Sequence, residues 1–245
     1  MGLKYDSLRK LRKQKHKLKA DSWEEYDKHE DEMLKEMLRH QEPTVKGKVR
    51  VTGGKVRGFK IEIPHKTRPL TDRMKTRIFD ILREDIFNKT VLDIYAGSGS
   101  FGFEALSRGA KEVTFVDAAK QAEKILHQNA RHTGFLTETS IIREKADEYV
   151  KGAISREEQY EIIFMDPPYK LYNTKKKQAM SQLITGLREL LPGYKDRETK
   201  LFPGALIIKH PYYYPLADVI ETIEGIEIMD TYRFGMNAVT FVILQ

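Results

Sequence analysis

Cysteine is missing from all 245 residues, and tryptophan occurs once. Without cysteine there is no disulfide, no thiol nucleophile and no thiolate metal site, which fits a cytoplasmic setting. Long apolar runs are also missing. No stretch reaches the roughly 20 residues of a membrane span. Residues 1–20 are basic but lack the apolar segment of a secretory signal. The seven histidines fall into no HExxH-like spacing, so no metal is expected. Acidic residues are the minority charge: 43 Lys and Arg stand against 36 Asp and Glu, for a net charge of +7.

The excess of positive charge is not spread evenly. Lys46, Lys48, Arg50, Lys55, Arg57, Lys60, Lys66, Arg68, Arg73, Lys75 and Arg77 crowd one segment, opposed only by Glu62 and Asp72. Such clustering suits a polyanion, because neutralising phosphates releases counterions. Arg50, Lys55, Arg57, Arg68 and Arg73 are therefore candidates for nucleic-acid contact.

Three regions follow from composition and periodicity. Residues 1–45 read as a helical extension with a basic start, a Ser22/Glu25 capping pair and an apolar stripe ending before Pro43. Its basic start suits either RNA or a mobile tail. Residues 46–88 read as a basic hairpin, marked by Gly53-Gly54 and Gly58, then a helix over 72–86 capped by Thr71. The remainder of 46–245 alternates strand and helix. Strands are expected at Val91–Tyr95, Val113–Val116, Ser140–Arg143, Tyr160–Met165 and Ala205–Ile208, and a closing hairpin at Ile226–Phe234 and Val239–Leu244 across Gly235-Met236-Asn237. Helices are expected after Ser100, over Ala119–Thr133, near Asp147 and over Gln178–Leu191. This rhythm predicts an α/β fold: a mostly parallel, seven-stranded, Rossmann-like sheet with helices on both faces and an antiparallel edge.

The first chemical motif is Asp93-Ile94-Tyr95-Ala96-Gly97-Ser98-Gly99. With Gly102 it fits GxGxxG after a strand, a pattern that also serves dinucleotides. Asp93 decides between the two. A carboxylate there repels a pyrophosphate and attracts a cationic ligand such as the ammonium of S-adenosylmethionine. The glycines let backbone approach the ligand closely. Asp117 ends the next strand, where an acid can accept both ribose hydroxyls. Asp147, after the third strand, either reaches an adenine amino group or caps a helix.

The second motif is Asp166-Pro167-Pro168-Tyr169. A nucleobase amino group is a poor nucleophile because its lone pair is delocalised into the ring. Two acceptors on its hydrogens pull it towards a tetrahedral shape. Asp166 supplies one and the Pro167 carbonyl the other, while Pro167 and Pro168 stiffen the loop and Tyr169 offers a stacking face. Alignment with a sulfonium methyl then becomes mainly a matter of orientation.

These residues resemble class I S-adenosylmethionine-dependent methyltransferases that act on exocyclic amino groups. Arg50-Val51-Thr52-Gly53-Gly54, Arg57-Gly58, Arg68-Pro69-Leu70-Thr71-Asp72-Arg73, and the run from Asp93 through Leu106-Ser107-Arg108-Gly109-Ala110 are similar to the bacterial 16S rRNA guanine-N2 methyltransferases, the RsmD family. The resemblance covers about residues 47–245. It implies that Asp93, Ala96, Gly97, Ser98, Gly99 and Asp117 hold the cofactor. It places Thr71 and Asp72 in a segment closing over it, and gives Asp166 to Tyr169 the target base. It implies 16S rRNA in an assembling small subunit as partner, and a monomer is the default. Three departures stand out: Lys75-Thr76 where the family often has Arg-Glu, Lys209-His210 where an acid often ends the fifth strand, and the extension at 1–45. An adenine-N6 methyltransferase on DNA or another RNA uses the same chemistry, although only Tyr194 to Lys200 offers room for a target-recognition insert. A glutamine methyltransferase is usually paired with Asn at the Asp166 position. An NAD(P) oxidoreductase conflicts with Asp93, and a non-catalytic RNA-binding module conflicts with the intact Asp166 loop.

Overall fold

Seven strands form one sheet in the order β5-β4-β3-β6-β7-β9-β8 in this computed structural model, which describes residues 47–64, 69–173, 176–193 and 204–245. The expectations for the extension at 1–45, for Arg68 and for the segment from Tyr194 to Lys200 lie outside the described residues. The strands are β3 (Thr90–Ile94), β4 (Glu112–Val116), β5 (Thr139–Ile142), β6 (Ile162–Met165), β7 (Ala205–Pro211), β8 (Ile226–Phe234) and β9 (Asn237–Leu244). The first five pair in parallel, and β9 runs antiparallel to both β7 and β8. Before them, β1 (Lys48–Arg50) and β2 (Lys60–Glu62) make a separate antiparallel hairpin.

The helices are α1 (Asp72–Leu82), α2 (Ser100–Ser107), α3 (Lys120–Thr133), α4 (Ala146–Ser155), α5 (Lys177–Glu189) and α6 (Leu216–Ile220). Strand residues alternate between two cores, as a period of two requires. Val91, Phe115, Phe164, Ile207 and Phe241 pack with α1, α2, α3 and the hairpin. Leu92, Ile94, Val116, Ile163, Met165 and Ile208 pack with α4, α5 and α6. The sheet is thus covered on both faces, which explains the near-continuous apolar runs of its central strands.

Local chemistry sets most boundaries. Thr71 has extended backbone and its Oγ1 accepts the Met74 N–H at 3.3 Å, starting α1. Gly134, at φ 79°, ends α3. The helix expected over 72–86 breaks at Arg83, which takes φ 43° and leads into a 3-10 turn over Arg83–Ile86. The closing turn is tighter than expected: Phe234 pairs with Asn237, so only Gly235 and Met236 connect the strands. Two features were not expected. The five-residue α6 is too short to show a period, and β7 continues past Ile208 through Lys209, His210 and Pro211.

His210 explains part of that extension. It is buried on β7, with Nδ1 2.9 Å from the Pro211 carbonyl and Nε2 2.8 Å from Thr240 Oγ1 on β9. Burial pushes its pKa down from 6.5 to about 4. The fold therefore refuses a proton that the unfolded chain accepts. This contribution to stability is complete above pH 6.5 and fades as pH falls towards 4. At pH 4.5 the loss should be about 2–3 kcal/mol. Denaturant unfolding at pH 7.5 and 4.5 checks this. The wild type should lose that much more than His210→Gln across the interval, and equal losses would remove His210 as the cause.

Candidate active site

The strand order reverses between β3 and β6. The chain leaves β3 for β4 on one side and returns to β6 on the other. Ligands of open α/β sheets sit at the carboxyl ends of strands at such a switch point. Both motifs lie there. Ile94 pairs with Met165, and the Asp166 N–H reaches the Ile94 carbonyl at 3.5 Å. The glycine loop and the Asp-Pro-Pro-Tyr loop therefore leave the sheet side by side.

The glycine loop is held by two of the expected acids. Asp93 is buried on β3, and its Oδ2 accepts the Gly102 N–H at 3.0 Å inside α2. Burial pushes its carboxyl well above the usual range, with the Asp166 and Asp117 charges adding to the rise. A cation arriving beside the loop would draw it back down. Asp117 accepts the Gly97 N–H on one oxygen at 2.9 Å and the Ala119 N–H on the other at 2.8 Å. Each oxygen keeps a lone pair for a ribose hydroxyl. Asp147 stands exposed in the first turn of α4. Its charge is felt by Tyr95, whose hydroxyl is pushed up to about 12 by burial, then by Asp147 and Asp117.

Glycine is required in the loop on steric grounds. Gly99 lies at φ 74°, and a Cβ there would come within 2.7 Å of Leu126 and Phe103 side chains. At Gly102 a Cβ would meet Phe115 at 2.3 Å, so this glycine serves helix–strand packing. Ala96, Gly97, Ser98 and Gly99 are all buried.

The second loop is rigid in a different way. The Pro168 carbonyl is taken by the Leu171 N–H at 2.9 Å within a 3-10 turn over Tyr169–Leu171. That leaves the Pro167 carbonyl as the candidate acceptor. Tyr169 donates its hydroxyl to Asn237 Oδ1 at the start of β9, which ties it to the end of the sheet where β7 finishes. The carboxylate of Asp166 is not free: Lys209 Nζ lies 2.7 Å from both of its oxygens.

The leading segment is bolted to the site through α2 and α3. Glu104, fully buried on α2, accepts the Thr52 N–H and the Thr52 hydroxyl, each at 2.7 Å. It also pairs with Arg108 at 2.9 Å and Lys75 at 3.8 Å. Ser107 Oγ donates to the Gly53 carbonyl at 2.5 Å and accepts the Val56 N–H at 3.0 Å. At Gly54, at φ 73°, a Cβ would stand 1.8 Å from the Ser107 carbonyl. Asn129 on α3 joins hairpin to glycine loop, donating to the Glu62 carbonyl at 2.9 Å and the Ser98 carbonyl at 3.0 Å.

The other expected residues fall around this frame. Thr71 caps α1, and Asp72 pairs with Arg50 at 2.8 Å and Lys75 at 3.5 Å. Arg50 thus shares its charge with an exposed intramolecular partner. Lys55 lies over the Phe135 ring at 5.8 Å, while Arg57 and Arg73 are exposed.

Comparison with known proteins decides the family. Residues 49–191 match the family described as conserved hypothetical protein 95. The Ribosomal RNA small subunit methyltransferase D of Haemophilus influenzae is 35% identical over 136 residues, covering 54% of this chain and 70% of that one. The chain belongs to this RsmD-like family. A Bacillus subtilis chain named as a candidate rRNA methyltransferase, YlbH, is 32% identical over 180 residues, covering 70% of this chain and 96% of its own. The solved structure of a hypothetical protein from Thermus thermophilus has TM-score 0.62 at 27% identity, covering 79% of this chain and 98% of that one.

The fold is therefore that of a class I methyltransferase, and S-adenosylmethionine is its cofactor. The residues fit that group. The Gly99 position excludes a side chain, Asp93 is a buried carboxyl whose ionised form a cation would favour, and Ser100 Oγ at the start of α2 is buried with no hydrogen-bond partner among the described residues. Sequence reasoning missed four members of the site. Tyr95, an aromatic residue at φ 62°, makes the bend from β3 into the glycine loop, and only a backbone angle reveals it. Lys209 meets Asp166, Glu104 meets Thr52 and Asn129 meets Glu62 across 43 to 67 residues, and no local pattern announces such pairs.

Proposed function

We propose that this chain transfers a methyl group from S-adenosylmethionine to the exocyclic N2 amino group of a guanine in 16S rRNA. The observation that carries the reading is the pairing of β3 with β6, which sets Asp166 beside the glycine loop. The names of the relatives support rRNA of the small subunit as substrate. The resemblance of the leading segment supports guanine N2.

Bound at the glycine loop, S-adenosylmethionine supplies an electrophilic methyl on a sulfonium. Asp93 and Asp117 would hold and orient it, Gly97 and Gly99 would let the loop backbone approach it closely, and Asp147 would meet an adenine amino group. Asp166 and the Pro167 carbonyl accept the two hydrogens of the target amino group, which localises the nitrogen lone pair. Tyr169, fixed through Asn237, carries the base on its ring face. The surplus proton of the methylated nitrogen would leave for water, so Asp166 need only accept a hydrogen bond. Lys55, Arg57 and Arg73 meet phosphates, and Arg68 extends that set. The protein acts as a cytoplasmic monomer on the assembling small subunit.

The test is label transfer from tritiated S-adenosylmethionine to undermodified small subunits, naked 16S rRNA and duplex DNA, followed by nucleoside analysis. N2-methylguanosine from the ribosomal samples is the expected product. N6-methyladenine, or label in DNA alone, would overturn the substrate and keep amino methylation.

A further inference from the structure

The ammonium on the Asp166 carboxylate has no part in the chemistry described so far. Lys209 lies one residue past Ile208, which pairs with Met165, so the parallel register brings it level with Asp166. Its Nζ sits 2.7 Å from each oxygen, in the bite of the carboxylate. The lysine side chain is 7% exposed and the aspartate 20%. The Lys209 carbonyl accepts the Tyr172 hydroxyl at 2.6 Å, which anchors this end of β7 to the turn following Asp166.

We propose that Lys209 is a positioning residue of the methyl-transfer reaction: it keeps Asp166 ionised and aims it, so that the target amino hydrogen is taken on an outer lone pair. This rests on the reading of Asp166 as acceptor for that amino group. An acceptor is what the reaction needs there. A protonated Asp166 would turn its O–H towards the nitrogen lone pair and quench the nucleophile. The surroundings favour that unwanted state. Burial pushes the Asp166 carboxyl up, and among the described residues Lys209 pulls it back. The Asp93 carboxyl faces it from β3, and Tyr172 faces it from the turn. With Nζ shared between both oxygens, the inner lone pairs are occupied. An amino group must then approach from outside the bite, which restricts the plane in which the base can lie.

The experiment follows the Asp166 carboxyl directly by carbon-13 NMR of aspartate-labelled full-length protein, in the wild type, Lys209→Met and Lys209→Arg. A pH–rate profile of each is measured on the RNA that accepts label. The Asp166 midpoint should rise by about 1–3 pH units in Lys209→Met and stay near the wild type in Lys209→Arg. The acid limb of the rate profile should move upward with it, because activity is lost as Asp166 protonates. Should Lys209→Met not fold, Lys209→Gln removes the charge and keeps a donor. Coincident midpoints, or a uniform loss of rate with an unmoved acid limb, would overturn the proposal. Wild-type protein that methylates no nucleic acid would sink the reading of the reaction instead, and the midpoints would still decide whether Lys209 governs Asp166.

Discussion

Asp166→Ala should lower the rate of methyl transfer by about 10²–10⁴-fold while the affinity for S-adenosylmethionine stays near that of the wild type. The change removes the carboxylate that accepts an amino hydrogen, but it touches none of the backbone that holds the glycine loop. A second consequence has to be separated from the first. Truncation leaves the buried Lys209 ammonium without the two oxygens it now holds at 2.7 Å. An uncompensated buried charge of this kind costs about 3–5 kcal/mol, so the single variant also loses stability. Asp166→Ala combined with Lys209→Met removes both charges, and the double variant should recover most of the lost melting temperature. It should recover none of the activity. Isothermal titration with the cofactor, thermal melts and label transfer on all three proteins separate the two effects. Activity returning with stability would mean that Asp166 serves the fold and not the reaction.

The two loops were legible because each carries its chemistry in consecutive residues. Asp93 to Gly99 and Asp166 to Tyr169 need no knowledge of the fold to be found, and the strand–helix rhythm placed both at carboxyl ends of parallel strands. The sheet was readable for the same reason. Its central strands are short apolar runs punctuated by turn residues, and the observed boundaries differ by a few residues at most, apart from β7. That exception is instructive. Lys209 and His210 look like the polar end of a strand, yet both are buried. Lys209 is paired with Asp166 and His210 with Thr240. Burying a charged residue costs heavily without a partner, and a partner on another strand leaves no local trace. Gly53-Gly54 shows the same limit from the other side. The pair reads as a hairpin turn, whereas Gly54 is needed because the Ser107 carbonyl would collide with any side chain there. The two conspicuous runs, Thr52-Gly53-Gly54 and Leu106-Ser107-Arg108, are motifs because they touch each other.

That contact is centred on Glu104, and Glu104→Ala should cost about 3–5 kcal/mol. The carboxylate is fully buried and serves Thr52 through two bonds, Arg108 through one and Lys75 through charge. Lys75 is itself buried, with its Nζ on the Arg50 carbonyl. Burial pulls its pKa below the ordinary lysine value, while Glu104 and Asp72 push it back. Removing Glu104 therefore leaves the buried Lys75 with Asp72 and the Arg50 carbonyl alone, and takes the acceptor from the part-buried Thr52 N–H. For a chain of this size each kcal/mol is worth about 2–4 °C, so the melting temperature should fall on the order of 10 °C. Glu104→Gln keeps an acceptor for Thr52 and gives up the charge, and should fall less. The functional consequence separates cofactor from RNA. Thr52 links β1 to the segment that carries Lys55 and Arg57, so loosening it should raise the KM for RNA and flatten its salt dependence. The glycine loop is held by Asp93 and Asp117, so cofactor affinity should change little. Equal losses of RNA and cofactor binding in Glu104→Gln would show that the hairpin and the glycine loop fold as one unit rather than as two joined at Glu104.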